Sequence, residues 1–158
     1  MINDKVFSSK EDEGWDRLVA LNEKTGWFKV LGRAPKLNHF DASAQTGSRK
    51  FAIEIKTRDM TLSDDGGVVG LSNGKPFTGR TLYIEDHKLV ELLLDAVVEG
   101  WTPLYVNFLK DGHVVIFNLL SLKKKPMVTK RMGMFSNGYG AVEMSARKGL
   151  WLEDAYIL

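Results

Sequence analysis

Hydrophobic and polar positions alternate most regularly between residues 39 and 58. Phe40, Ala42 and Ala44 are followed, after Gly47-Ser48, by Phe51, Ile53 and Ile55, and this period of two predicts a pair of strands. Gly47 at the first central position of a two-residue connection suits a type II′ turn. The strands then form a hairpin in which Ala44 faces Phe51, Ala42 faces Ile53 and Phe40 faces Ile55, giving one apolar face. Ahead of it the pattern changes to a helical period. Ser9 suits an N-cap, Glu11, Asp12 and Glu13 occupy the first turn, and Trp15, Leu18 and Val19 form a stripe. Gly26 ends this helix, and residues 1–9 read as a loose leader. Residues 27–31 alternate as a strand, and 32–38, with Pro35, read as a connector.

Beyond Arg58 the periodicity lapses until about residue 80. Asp64-Asp65-Gly66-Gly67 and Ser72-Asn73-Gly74 mark turns there, with Val68, Val69 and Leu71 in a small hairpin or a flap. Gly70 to Pro76 lacks the spacing of a phosphate loop, and Pro76 directly follows the lysine. Residues 81–84 read as a short strand. A helix then runs from Glu85 or Asp86 to Glu99 and stops at Gly100. Its Leu89, Val90, Leu92, Leu93, Leu94, Ala96, Val97 and Val98 cover most of the circumference, which predicts a buried helix. Residues 104–109 and 114–119 follow as strands about a Lys110-Asp111-Gly112 turn, and 151–158 read as a tail strand closing on the body. A helix between strands permits a parallel crossover, so the order predicts a mixed α/β sandwich.

Composition narrows the class. A chain of 158 residues, 44% of them hydrophobic, suits one globular domain over residues 1–158. The absence of cysteine excludes disulfides and thiolate metal sites. No apolar run approaches the roughly 18 residues of a membrane span, and the polar N-terminus does not resemble a signal peptide, so a cytoplasmic protein without a membrane partner is expected. The net charge of +2 is small but unevenly distributed. Lys110, Lys123, Lys124, Lys125, Lys130, Arg131, Arg147 and Lys148 face only Asp111 and Glu143 across that stretch. The cluster Lys123, Lys124, Lys125, Lys130 and Arg131 reads either as a nucleic-acid-binding surface or as a solvated loop.

The polar face of the hairpin carries the candidate chemistry. Strand alternation sets Asp41 opposite Glu54 and His39 opposite Lys56. Directly opposed residues have Cβ atoms roughly 4.5 to 5.5 Å apart, and like charges there repel. Either the two carboxylates flank a hard cation such as Mg²⁺, Mn²⁺ or Ca²⁺, or they belong to a solvated face balanced by Lys50 and Lys56. Lys56 lies two residues beyond Glu54 on the same face, where an ammonium can orient water or stabilise a developing anion. His39, His87 and His113 show no ligand spacing.

Asp41 followed by Glu54-Ile55-Lys56 on the next strand, with Phe51, Ile53 and Ile55 as apolar flanks, resembles the PD-(D/E)xK nuclease signature, in the form found in Holliday-junction-resolvase-like and phage or restriction-type endonucleases. Phe40 stands where the motif has its proline. The resemblance covers residues 10–119 in element order and the hairpin in residue identity, leaving 120–158 as a basic C-terminal extension. It implies a restriction-endonuclease-like core, a central mixed sheet flanked by helices in the order α-β-β-β-α-β. It further implies a Mg²⁺- or Mn²⁺-dependent deoxyribonuclease, with DNA as partner. Asp41, Glu54 and Lys56 would be catalytic, and Asp41, Glu54, the Ile55 carbonyl and an acid of the first helix, Glu13 or Asp16, would hold metal. Cutting two strands requires two sites, which suits a homodimer. A catalytically idle nucleic-acid-binding or structural module of the same fold, or a nuclease acting on RNA, would share these features.

Overall fold

Gly47 adopts φ +60° in the computed structural model, and the hairpin closes about it in the expected register, with Thr46 opposite Arg49, Ala44 opposite Phe51 and Ala42 opposite Ile53. The structure describes residues 4–35, 38–72, 74–129, 132–134, 141–143 and 147–158. In chain order they form α1 (Asp4–Thr25), β1 (Val30–Arg33), β2 (Ala42–Thr46), β3 (Arg49–Arg58), β4 (Met60–Leu62), β5 (Val68–Ser72), β6 (Lys75–Gly79) and β7 (Thr81–Glu85). Then come α2 (Asp86–Glu99), β8 (Thr102–Leu109), β9 (Val114–Asn118), β10 (Met127–Thr129), β11 (Met132–Met134), β12 (Ala141–Glu143), β13 (Arg147–Trp151) and β14 (Tyr156–Ile157).

The central sheet has the order β1-β2-β3-β8-β9-β14. The β3–β8 pair is parallel and the others are antiparallel, so the sheet is mixed, and α2 lies on the connection that the parallel pair requires. The elements α1-β1-β2-β3-α2-β8 realise the expected α-β-β-β-α-β order, an arrangement compatible with the restriction-endonuclease-like core. The two helices take opposite faces. Leu18, with Trp15 and Leu21, packs on Ala42, Ala44, Ile53, Val106 and Phe108. Leu89 and Leu92 of α2 pack on the alternate residues, Ala52, Tyr105, Val115 and Phe117. A Cβ on Gly14 would lie 2.9 Å from Ile55 Cγ2, so the glycine permits α1 to approach β3 closely.

Several expectations are corrected. The first helix begins at Asp4, so Ser9 lies inside it and residues 4–9 are not a leader. A favourable N-cap contributes only about 1 kcal/mol, and no Gly or Pro in residues 4–13 breaks the helix. The first strand starts at Val30, because Asn22 ties down the chain before it through hydrogen bonds with Phe28. Strands β4, β5 and β6 form a three-stranded antiparallel sheet, larger than a single hairpin.

Phe40 does not face Ile55. The β2 ladder stops at Ala42, the Asp41 carbonyl accepts a hydrogen bond from Ala34 N–H at 2.9 Å, and this closure of the connector turns Phe40 to the α2 side. There it packs edge-on against Trp101, ring centroids 5.1 Å apart.

The second helix is not buried all round. Leu89 and Leu92 are buried, whereas Val90, Leu94, Val97 and Val98 are exposed, since only one side of α2 meets the sheet. The preceding strand β7 joins β13 and β10 in a separate sheet and does not cover the outer side of the helix. The tail is not one strand over 151–158: β13 ends at Trp151, a 3-10 turn spans Leu152–Asp154, and only the short β14 closes on the body by pairing with β9 at the sheet edge. Among the described residues no helix is long and apolar enough to cross a membrane.

Candidate active site

Asp41 sits immediately before β2, and its backbone N–H donates to the Ile53 carbonyl at 2.9 Å, continuing the hairpin by one bond. Its side chain then replaces the missing strand. The carboxylate Oδ2 accepts the Ile55 N–H at 2.8 Å, so Asp41 is held by the strand that carries Glu54. In an extended strand the N–H and C=O of one residue face the same neighbour. The Ile55 carbonyl therefore faces the side occupied by Asp41, where β2 has ended.

Glu54 points to the α2 face beside Tyr105, its partner in the parallel register. Burial and then the neighbouring Asp41 charge push its carboxyl up to about 8, with Lys88 and Lys56 opposing. Its Oε2 is buried and accepts no hydrogen bond among the described residues, and Lys88 Nζ stands 3.7 Å away. The pair sets two carboxyl groups side by side, and the nearby lysines only partly offset the cost of ionising both.

Lys56 follows on the same face. Its side chain retains solvent exposure, yet partial desolvation and then Arg58 hold its ammonium below the usual lysine range, with Arg147 adding to the effect and Glu85 and Glu54 opposing it. Arg58 continues the row inward. It donates to Asn107 Oδ1 at 3.1 Å, to the Tyr105 hydroxyl at 2.7 Å and to the Tyr83 carbonyl. Tyr105 also donates to the Tyr83 carbonyl at 2.8 Å, and burial raises its phenol. Asn107 is fully buried and donates to the Val115 carbonyl. This network joins β3, β8 and β7 behind Glu54 and Lys56, which fixes the floor of the site.

The structure thus brings Asp41, Glu54 and Lys56 together on one face. Glu13 and Asp16 are exposed residues of α1, the helix that packs on the opposite face of the sheet. Among the described residues no group of three acids or histidines forms a metal cluster.

The basic residues lie elsewhere. Lys123, Lys124 and Lys125 are exposed, and Lys124 is engaged by its own chain, with Nζ 2.8 Å from Glu153 Oε2 and 5.0 Å from the Trp151 ring. Trp151 is opposite Thr81 at one end of the β7–β13 pair, and Arg147 is opposite Glu85 at the other. That separates the lysines from Glu85, beside Lys56, by roughly 13 Å of strand. Lys130 and Arg131 lie outside the described residues.

Sequence reading missed Lys88, Glu85, Arg58 and Tyr105. Arg58 was accessible to it, since it extends the same strand face by two positions from Lys56. Lys88, Glu85 and Tyr105 arrive through tertiary packing and carry no local signal.

No family model matches the chain, and no curated protein matches it. Among solved structures it is similar to Hjc, a Holliday junction resolvase from the archaeal hyperthermophile Archaeoglobus fulgidus, with 15% identity, 84% of each chain covered and a TM-score of 0.49.

Proposed function

We propose that the protein is a metal-dependent endonuclease that hydrolyses DNA phosphodiester bonds at Asp41, Glu54 and Lys56. The observation that carries this reading is Glu54 itself. A buried carboxylate oxygen without a hydrogen-bond donor, beside a second carboxylate, is an arrangement that disfavours its own ionisation unless a cation enters. The donors are hard oxygens, which fit Mg²⁺ or Mn²⁺. Asp41, Glu54 and the Ile55 carbonyl would hold the ion, and either Glu13 or Asp16 would have to reach it from α1 to complete the set proposed from the sequence. When bound, the ion supplies Lewis acidity at the phosphoryl oxygen and lowers the pKa of water.

The protein's own groups then have distinct tasks. The Ile55 N–H fixes the orientation of Asp41. Lys56, on the exposed side of Glu54, orients the attacking water and offsets negative charge growing on the phosphate. Arg58, Tyr105 and Asn107 keep β3 and β8 in register beneath them, so the acid and the lysine hold a constant separation. Lys123, Lys125, Lys130 and Arg131 contribute backbone contacts to DNA outside the cleavage centre.

A plasmid-nicking assay tests the reading. Nicking with Mg²⁺ or Mn²⁺ that disappears with chelator, in Glu54→Ala and in Lys56→Ala is expected, with DNA binding nearly intact in the Lys56 variant. Wild-type levels of nicking by Lys56→Ala would remove that residue from the centre. Absence of nicking by the wild type on DNA, with unchanged DNA binding, would favour the idle module.

A further inference from the structure

Lys88 stands in the first turn of α2, where aligned peptide dipoles disfavour a cation. Its Nζ nevertheless turns to the sheet, 3.7 Å from Glu54 Oε2 and 3.3 Å from the His39 carbonyl oxygen, to which it donates. Two features make the contact with Glu54 easy to exchange. Glu54 Oε2 accepts no hydrogen bond among the described residues, so the attraction is one of charge across a gap and no directional bond is lost on separation. The Lys88 side chain is 29% exposed against 14% for Glu54, so an outward swing returns the ammonium to water and leaves the acid in place. The bond to His39 ties the same ammonium to the segment that carries Asp41. Lys88 therefore spans both arms of the acidic pair, where a divalent ion would neutralise them.

Building on the nuclease reading above, we infer that Lys88 is a placeholder cation: its ammonium holds the cation position beside Glu54 until a divalent ion takes it over, and the released ammonium then pairs with a phosphate of the DNA beside the acids. The arm suits this division of labour. Lys56 is anchored on β3, in the middle of the sheet, and reaches the centre from a fixed strand. Lys88 reaches it from a separate helix by a long aliphatic stem that can turn either toward Glu54 or outward. A purely structural ion pair would predict a different behaviour: loss of Lys88 would lower stability and leave the response of DNA binding to metal untouched.

The test measures Mn²⁺ binding by calorimetry, and binding of a short fluorescein-labelled DNA duplex by anisotropy, with Ca²⁺ and with chelator. The proteins are the full-length wild type, Lys88→Gln, Lys88→Met as a second neutral variant, and Lys88→Arg. Removing the competing charge should tighten Mn²⁺ binding about tenfold in both neutral variants, while Lys88→Arg stays near wild type. Duplex affinity of the neutral variants should fall about fivefold in Ca²⁺ and stay unchanged in chelator. Mn²⁺ binding by the neutral variants at wild-type affinity, or equal loss of duplex binding with and without Ca²⁺, overturns the placeholder role while leaving the nuclease reading standing. Failure of every protein to bind Mn²⁺ overturns both.

Discussion

Glu54→Gln is the most informative perturbation, because the amide keeps the shape of the side chain and removes the charge. Burial and Asp41 raise the Glu54 carboxyl from 4.5 to about 8 in the folded protein. The folded protein therefore holds this proton more tightly than the unfolded chain, and the penalty runs opposite to that of an ordinary ion-paired acid. It is absent below about pH 4.5, grows as pH rises, and is complete above about pH 8, so stability falls across that window. At about 1.4 kcal/mol per tenfold change, the separation corresponds to a ceiling of about 5 kcal/mol. Relaxation around the charge reduces the measured loss to about 2 to 4 kcal/mol.

Urea denaturation of wild type and Glu54→Gln at about pH 5 and about pH 8.5 isolates this contribution. Contributions common to the two proteins cancel in the difference. Asp65 and Asp111, held below the usual aspartate range, lose their contributions only at lower pH. The variant should be the more stable protein at the higher pH and nearly equal to wild type at the lower. Mn²⁺ at a hundredfold excess over its Kd should restore about 2.7 kcal/mol to wild type at the higher pH, and much less to the variant. Parallel pH profiles for the two proteins would refute the argument, because Glu54 would then ionise in the folded state without cost.

Further predictions follow from the same geometry. Arg58→Met should destabilise the protein by about 2 to 4 kcal/mol in urea denaturation, because Asn107, Tyr105 and the Tyr83 carbonyl lose a shared partner; a loss within error of zero would show that the network is replaceable by water. Gly14→Val should lower stability by about 1 to 3 kcal/mol as α1 is pushed off Ile55, read as a fall in Tm, and an unchanged Tm would mean that α1 shifts freely. Replacing Lys123 and Lys125 together should reduce the slope of log DNA affinity against log salt by about 2, whereas Lys124→Ala, already paired with Glu153, should change it little. An unaltered slope in the double variant would mark the cluster as a solvated loop.

The hairpin was legible in the sequence because its information is local. Gly47 fixes the turn, the period of two assigns faces, and a one-residue slip would move Ala42, Ala44, Ile53 and Phe51 off the core. The same logic placed Asp41 and Glu54 side by side, and Gly26 and Gly100 marked the ends of the two helices with positive φ. What failed was reasoning that extended a local pattern beyond its cause. Alternation assigned Phe40 to the wrong face, because the ladder ends at Ala42 and a connector bond at Asp41 sets the next residue's direction. Apolar content assigned α2 to the interior, although burial requires a second layer of neighbours and composition cannot supply one. The electrostatic character of the site lay further still from the sequence. Glu54 is perturbed because burial removes water from it and Asp41 stands beside it, while Lys88, 34 positions away in sequence, opposes the shift. Desolvation and charge act through distance in space, and only the packing of the helix on the sheet sets those distances.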